Sequence, residues 1–211
     1  MFPVISAIGL ILLLAAAPVS AQELPPSLAS YTADSVVEVA GQRLVQKIYH
    51  DRGRERQEMN IDGLFQVTIL RPDLDQAFVI QPGLDHYIEL SIAEAALIPV
   101  PGPADGYAAE PLGEEREGGE PTVKFQLAST DGAEQFFDML VWITDDGIVM
   151  RMEGEIAFEG VLEPVLLIRR NVQRAQQDAA LFEPRLALAT IIEENRVTVP
   201  QDHKGIGNTG P

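Results

Sequence analysis

Apolar and polar residues alternate along most of the chain. Phe65, Val67 and Ile69 alternate with Gln66 and Thr68, and Val123, Phe125 and Leu127 with Lys124 and Gln126. Ile148, Met150 and Met152 stand against Arg151 and Glu153, and Ile156 and Phe158 against Glu155 and Glu159. A period of two puts one set of side chains on each face of a strand, so these runs predict half-buried β-strands. Phe136 to Ile143 is apolar at both parities, which predicts a central strand covered on both faces. The faces of that strand leave the orientation of Trp142 open.

Turn signals separate the runs: Ala40-Gly41-Gln42, Asp51-Arg52-Gly53, Asp62-Gly63, Gly118-Gly119, Asp131-Gly132 and Asp145-Asp146-Gly147. Glycine takes positive φ without steric penalty, and pairs of this kind favour hairpins. Strands joined by tight turns are antiparallel neighbours, so the pattern predicts an antiparallel meander. Helix is scarce. Ser91-Ile92-Ala93-Glu94 has the spacing of a capping box and predicts about two helical turns over Ala95-Ala96-Leu97-Ile98, stopped by Pro99. Pro99 to Pro111 reads as a loop, and Asp178 to Phe182 as one more turn before Pro184. Leu186 to Val199 fits either helix or strand.

The first residues differ from all this. Val4 to Val19 is almost uninterruptedly apolar, Pro18 breaks it, and Val19-Ser20-Ala21 places small or modest residues before Gln22. This predicts a secretory signal peptide, residues 1–21, cleaved after Ala21, although no Lys or Arg precedes the apolar stretch. The expected organisation is then a flexible leader over 22–30, a single domain over 31–199 and a disordered tail over 200–211. No later apolar stretch is long enough for a membrane helix, so the cleaved product is expected to be exported and soluble.

Composition narrows the chemistry. The 211 residues hold 15 basic and 32 acidic side chains, a net charge of −17, and no cysteine. Such charge repels a phosphate backbone and argues against nucleic acid. Without cysteine there are no disulfides, thiolate metal sites or Cys nucleophiles. His50, His86 and His203 lie far apart with no motif partner. Asp73-Leu74-Asp75 puts two carboxylates on one strand face, where a divalent cation could use them, but it lacks the further oxygen ligands and glycine of a calcium loop and reads as a solvated turn. No nucleophile elbow or phosphate-cradling glycine loop is present. The reading is therefore non-enzymatic, with no catalytic residue, metal or cofactor.

The order of motifs carries a resemblance. Arg56-Gln57-Glu58-Met59 on the third strand precedes Val67-Thr68-Ile69-Leu70-Arg71-Pro72-Asp73, Phe78-Val79-Ile80-Gln81-Pro82 and Tyr87-Ile88-Glu89-Leu90. Gly113-Glu114-Glu115, Lys124-Phe125, Val141-Trp142-Ile143-Thr144-Asp145-Asp146-Gly147-Ile148 and Leu181-Phe182-Glu183-Pro184 follow. Over residues 32–185 this set resembles an uncharacterised domain family of the LolA-like periplasmic superfamily, related to outer-membrane lipoprotein carriers. The resemblance implies a mainly β (α+β) fold, an antiparallel meander curved into a half-barrel, its apolar concave face covered by short helices. Several relatives hold acyl chains there. Arg185-Leu186-Ala187 replaces the expected Gly-aromatic ending, and no ligand-gripping residue of the carriers carries over.

Two groups of residues are candidates for function. Val123, Phe125, Leu127, Trp142, Met150, Met152, Ile156 and Phe158 are apolar residues able to line a cavity for a lipid or other apolar molecule. Arg52, Arg54 and Arg56 recur with period two in an acidic chain. They offer either cross-strand ion pairs or a contact for an anionic headgroup or a protein partner. A periplasmic binding or carrier protein for an acyl chain is the first expectation. An envelope interaction or sensor module with a filled core is the alternative.

Overall fold

The computed structural model describes Leu24 and residues 27–61, 63–81, 87–95, 107–129, 136–158 and 161–185. The strands are β1 (Ser30–Val39), β2 (Gln42–Asp51), β3 (Arg54–Ile61), β4 (Leu64–Arg71), β5 (Gln76–Ile80), β6 (Tyr87–Leu90), β7 (Tyr107–Glu117), β8 (Glu120–Ser129), β9 (Phe136–Ile143), β10 (Val149–Phe158) and β11 (Val161–Arg174). They form one 11-stranded sheet in the order β6-β5-β4-β3-β2-β1-β11-β10-β9-β8-β7, every described pairing being antiparallel. Two meanders, β1–β6 and β7–β11, are therefore fused by pairing the first strand with the last. The sheet is open, with β6 and β7 as its edges.

The hairpin tips Ala40-Gly41, Arg52-Gly53 and Gly118-Gly119 have positive φ at both positions. That is the two-residue turn whose twist matches the flanking strands. The expected Asp131-Gly132 turn, the helical residues Ala96–Ile98 and the ambiguous segment Leu186–Val199 lie outside the described residues. So do His86, His203 and the expected signal peptide.

Three local expectations change. The loop expected through Pro111 ends earlier, because β7 begins at Tyr107 and includes Pro111. An edge strand accommodates a residue with no N–H to donate, and the register shift between Pro111 and Gly113 inserts a bulge there. Asp73 and Asp75 do not share a strand face: Pro72–Leu74 is a 3₁₀ turn, Asp75 closes it in the left-handed region, and Asp73 is paired with Arg71. Covering helices are not found among the described residues. The described part of α1 (Ile92–Ala95) is one turn, and its capping box forms as expected, Ser91 N–H donating to Glu94 Oε2 at 2.9 Å and Glu94 N–H to Ser91 Oγ at 3.3 Å. A 3₁₀ turn at Ala179–Phe182 forms where one turn was expected, with Ala180 N–H donating to the Asp178 carboxylate.

Directly opposed residues in an antiparallel ladder share a face, which sorts the sheet into two. On one, Leu44, Val37, Leu167, Met152, Val141, Phe125 and Pro111 form a single row across β2-β1-β11-β10-β9-β8-β7. This is the Val37 face. The other carries Trp142 with Lys124 and Arg151 as its ladder neighbours.

The sheet bends sharply in its C-terminal half. A methyl group built on Gly118, at the β7–β8 tip, would lie 3.2 Å from Met150 Cε and 3.5 Å from the Arg169 carbonyl oxygen on β11. In a flat sheet β8 and β11 would be about 14 Å apart. Gly118 also has φ +60°. Gly118→Val is expected to destabilise by about 1–3 kcal/mol, measured by urea unfolding, whereas Gly63→Ala, which meets nothing within 4 Å, costs only the strain of its φ of +86°.

Candidate functional site

The apolar side chains of the Val37 face form the largest described core cluster. Val37, Val165, Leu167, Met152, Val141, Ile143, Phe125 and Leu127 belong to it, together with Ile156 and the N-terminal Leu24. Each fully buried aliphatic or aromatic residue contributes about 1.5–3 kcal/mol. Val123, Val39 and Leu44 pack against it from partly exposed positions. At the β1–β2 end, a groove of about 410 Å³ lined by Val39, Gly41, Arg43, Pro164, Val165 and Leu166 opens to solvent. Val39 and Val165 belong to both groove and apolar surface, whereas Glu38, Arg43, Pro164 and Leu166 stand at the opposite parity, so the groove wraps the β1–β2 end of the sheet and meets the Val37 face through those two valines.

The cavity candidates divide accordingly. Val123, Phe125, Leu127, Met152 and Ile156 gather on this surface. Met150 lies beside it, in a separate cluster with Tyr31, Ala33, Ile48 and Ile148. Trp142 is on the opposite face, its ring 4.6 Å from Lys124 Nζ and 5.2 Å from the Arg151 guanidinium carbon, with Nε1 donating to Glu115 at 2.7 Å. The side chain of Phe158 lies outside the described residues. The orientation of Trp142 had a signal in the sequence: Lys124 and Arg151 occupy the polar parity of the strands on either side, so the residue opposed to both shares their face.

Beyond the apolar row the Val37 face becomes polar while remaining buried. Ser35, Gln46, His50, Thr68 and Arg169 are all buried. Arg169 is the register partner of Ser35, and Ser35 that of Gln46. Arg169 Nη1 donates to the Tyr31 hydroxyl at 2.7 Å and Nη2 to Glu55 Oε2 at 3.2 Å, an ion pair from β11 to β3. Burial raises the Tyr31 phenol above its usual pKa despite the opposing pull of Arg169, so it stays protonated. Sequence inspection passed over this cluster. The signal lay in Arg169, a charged residue at the parity of Val165 and Leu167.

His50 is a neutral, satisfied imidazole. Nδ1 is 2.8 Å from the Ala29 carbonyl oxygen, which can only accept, so Nε2 is left to accept from Gly53 N–H at 3.3 Å. Its ring stacks on Tyr31 with centroids 4.9 Å apart. Burial pushes its pKa below the ordinary 6.5, outweighing the opposite pull of Glu55. A base that binds protons less readily when folded loses stability as pH falls through its unfolded value. The thermal midpoint is therefore expected to drop between about pH 7 and pH 5, and His50→Gln to lack that drop. The carboxylates of Asp34, Asp51, Asp73 and Asp146, held low chiefly by side-chain hydrogen bonds, add a further loss only below about pH 4.

The arginine stripe is engaged within the chain. Arg54 pairs with Asp51 and its guanidinium carbon lies 4.9 Å from the Phe182 ring centroid. Arg56 pairs with Glu58 at 2.8 Å and donates to the Leu181 carbonyl at 3.4 Å. Arg71, not foreseen in this role, donates to the Phe182 carbonyl and to Glu183. Together they clamp the strap Asp178–Glu183, whose Phe182 is buried against Val67, Ile69, Phe78 and Ile80. Arg52 sits exposed at the hairpin tip. The acidic β7–β8 end is likewise paired: Glu117 with Arg151, and Glu120 with Arg174.

Among the described residues no group of three His, Asp or Glu is placed to hold a metal ion, and no helix is long and apolar enough to cross a membrane. No protein-family model and no curated protein matches the chain. Among solved structures it is similar to a LolA superfamily protein of Nitrosomonas europaea, with 12% identity and a TM-score of 0.45 over 75% of this chain and 92% of that one. It is also similar to a putative outer-membrane lipoprotein-sorting protein domain of Vibrio parahaemolyticus, with 10% identity and a TM-score of 0.39 over 78% and 93% of the two chains. The complex of Pseudomonas aeruginosa MucA and MucB gives 15% identity and a TM-score of 0.48, over 75% of this chain and 56% of the other. This chain thus spans little more than half the length of that relative.

Proposed function

We propose that the protein is an exported, non-enzymatic binding or carrier protein of the periplasm, and that it shelters an acyl chain or similar apolar ligand on the Val37 face of its open half-barrel. The observation that carries this reading is the unbroken row from Leu44 to Phe125, flanked on the same face by Val39 and Val165, which also line a solvent-open groove at the β1–β2 end. Burying the roughly fifteen methylenes of a long acyl chain against such a surface contributes about 12 kcal/mol. An association cost of at least about 4 kcal/mol then leaves at most about 8 kcal/mol, micromolar affinity at best, suited to a ligand that must be released. A net charge of −17 opposes close approach to an anionic membrane, so selectivity rests on the apolar surface.

Titration of the mature protein with a fluorescent acyl-chain probe tests this. Saturable binding at micromolar probe is expected. Val123→Asp, which places a carboxylate beside the row from a half-buried position, should weaken it at least about tenfold. Val45→Asp, at an exposed site on the other face, should leave it unchanged. Absence of saturable binding by folded protein would reject the carrier reading.

A further inference from the structure

The β1–β11 ladder ends at Val39 and Val165, but β11 begins at Val161 and is paired with β10 from there to Ile168. The sheet therefore has a notch beyond the β1–β2 tip, along the edge of β11 that β1 leaves uncovered. Val161 and Leu162, 58% and 48% exposed, flank it, and the groove lined by Val39, Gly41, Arg43, Pro164 and Leu166 opens at its base.

Register fixes which backbone groups face the notch. The Ala40-Gly41 tip is a two-residue turn, so Val39 and Gln42 exchange both backbone bonds, as Val37 and Leu44 then do in turn. Glu38 and Val36, lying between, must bond to β11, through Leu166 and Ile168. Bonding direction alternates along a strand, so Pro164 and Leu162 face the same side, where β1 has ended. The other hairpin agrees: Phe158 and Val161 are register partners with two residues between them, which turns Val161, Glu163 and Val165 toward β10. Pro164 is tolerated inside a 14-residue strand because the N–H it lacks would have pointed into the notch. Leu162 N–H, Leu162 C=O and Pro164 C=O are left without a strand partner among the described residues.

We propose that the notch receives an extended peptide segment of a partner protein, with an apolar–basic–apolar core, as a short added strand. A strand antiparallel to β11 exchanges two bonds with Leu162 and donates a third to the Pro164 carbonyl, from residues two apart. Those two residues share a face with Leu162 and Pro164, an apolar surface that Leu166 continues. The residue between them opposes Glu163, which is half-buried and in no ion pair among the described residues. A Lys or Arg there supplies the missing counter-charge, and the net charge of −17 favours the approach of a basic segment. A second copy of the chain fits poorly, because paired β11 edges would bring two Glu163 carboxylates together and Pro164 offers no N–H to its counterpart. The proposal needs no acyl ligand and stands apart from the carrier reading.

Titration of isotope-labelled mature protein with two capped peptides, acetyl-Thr-Val-Lys-Val-Thr-amide and acetyl-Thr-Val-Glu-Val-Thr-amide, followed by backbone amide shifts, tests this. The lysine peptide is expected to bind roughly fivefold more tightly than the glutamate peptide, with the largest shifts at Leu162, Val165 and Gly41. Glu163→Lys should reverse the preference. Leu162→Pro, whose lost N–H faces the notch and not β10, should weaken the lysine peptide about fivefold while the amide signals of the β10–β11 ladder keep their dispersion. Equal binding of the two peptides, a preference that survives Glu163→Lys, largest shifts along the edge strand β7, or no binding at millimolar peptide would overturn the proposal. Dimers of the peptide-free protein that Glu163→Lys or Leu162→Pro dissociates would also overturn it, since a second copy would then fill the notch.

Discussion

Arg169→Ala is expected to lower the unfolding free energy by about 3–5 kcal/mol. The guanidinium and the Glu55 carboxylate are only 5% and 13% exposed, so neither charge is well solvated. Truncating Arg169 leaves Glu55 buried without a counter-charge and the Tyr31 hydroxyl without its donor. The loss is thus a penalty for a stranded charge rather than the net worth of the pair. A double replacement, Arg169→Met with Glu55→Leu, should therefore cost less than the sum of Arg169→Met and Glu55→Leu made separately, because it strands no charge. Urea unfolding of the four proteins measures this. A loss below about 1 kcal/mol for Arg169→Ala, the range of a surface ion pair, would show that water reaches the pair and that this part of the Val37 face is not enclosed.

Phe182→Ala should be of similar size, about 3–5 kcal/mol, for a different reason. The ring is fully buried against the Val67, Ile69, Phe78 and Ile80 cluster on the face opposite Val37, and Arg54 stacks on it. Its removal leaves a cavity and also loosens the backbone that Arg56 and Arg71 hold through the Leu181 and Phe182 carbonyls. Limited proteolysis should then cut within 175–185, where the unsubstituted protein resists. Leu28→Ala, at a residue 67% exposed, serves as the comparison and should stay within about 0.5 kcal/mol. Two equally mild effects would mean that the strap adds nothing to the fold.

What the sequence made legible was local. Hairpin tips such as Ala40-Gly41 and Gly118-Gly119 demand positive φ, and the alternation of Val123, Phe125 and Leu127 demands a half-buried strand, so meander and turns followed from a few adjacent residues. The pairing of β1 with β11 was not legible. It joins Val39 to Val165 and Tyr31 to Arg174, and no local pattern encodes a partner so distant. The arginine stripe was visible, but its destination was not, since Arg56 meets Leu181 only once strap and sheet are folded together. Phe125 and Trp142 looked alike as bulky apolar residues. Register separates them, with Phe125 opposite Val141 and Trp142 opposite Lys124 and Arg151. Pro111 misled for a simple reason: a proline that ends an interior strand is tolerated at an edge.

A carrier whose Val37 face receives an acyl ligand should leave the cell loaded. Native mass spectrometry of the protein, purified without detergent, should show a population heavier than the bare chain by the mass of one acyl lipid, lost on gentle activation and absent from Val123→Asp. A single species at the chain mass, in samples that also fail to take up an added acyl glycerol, would rule the carrier function out.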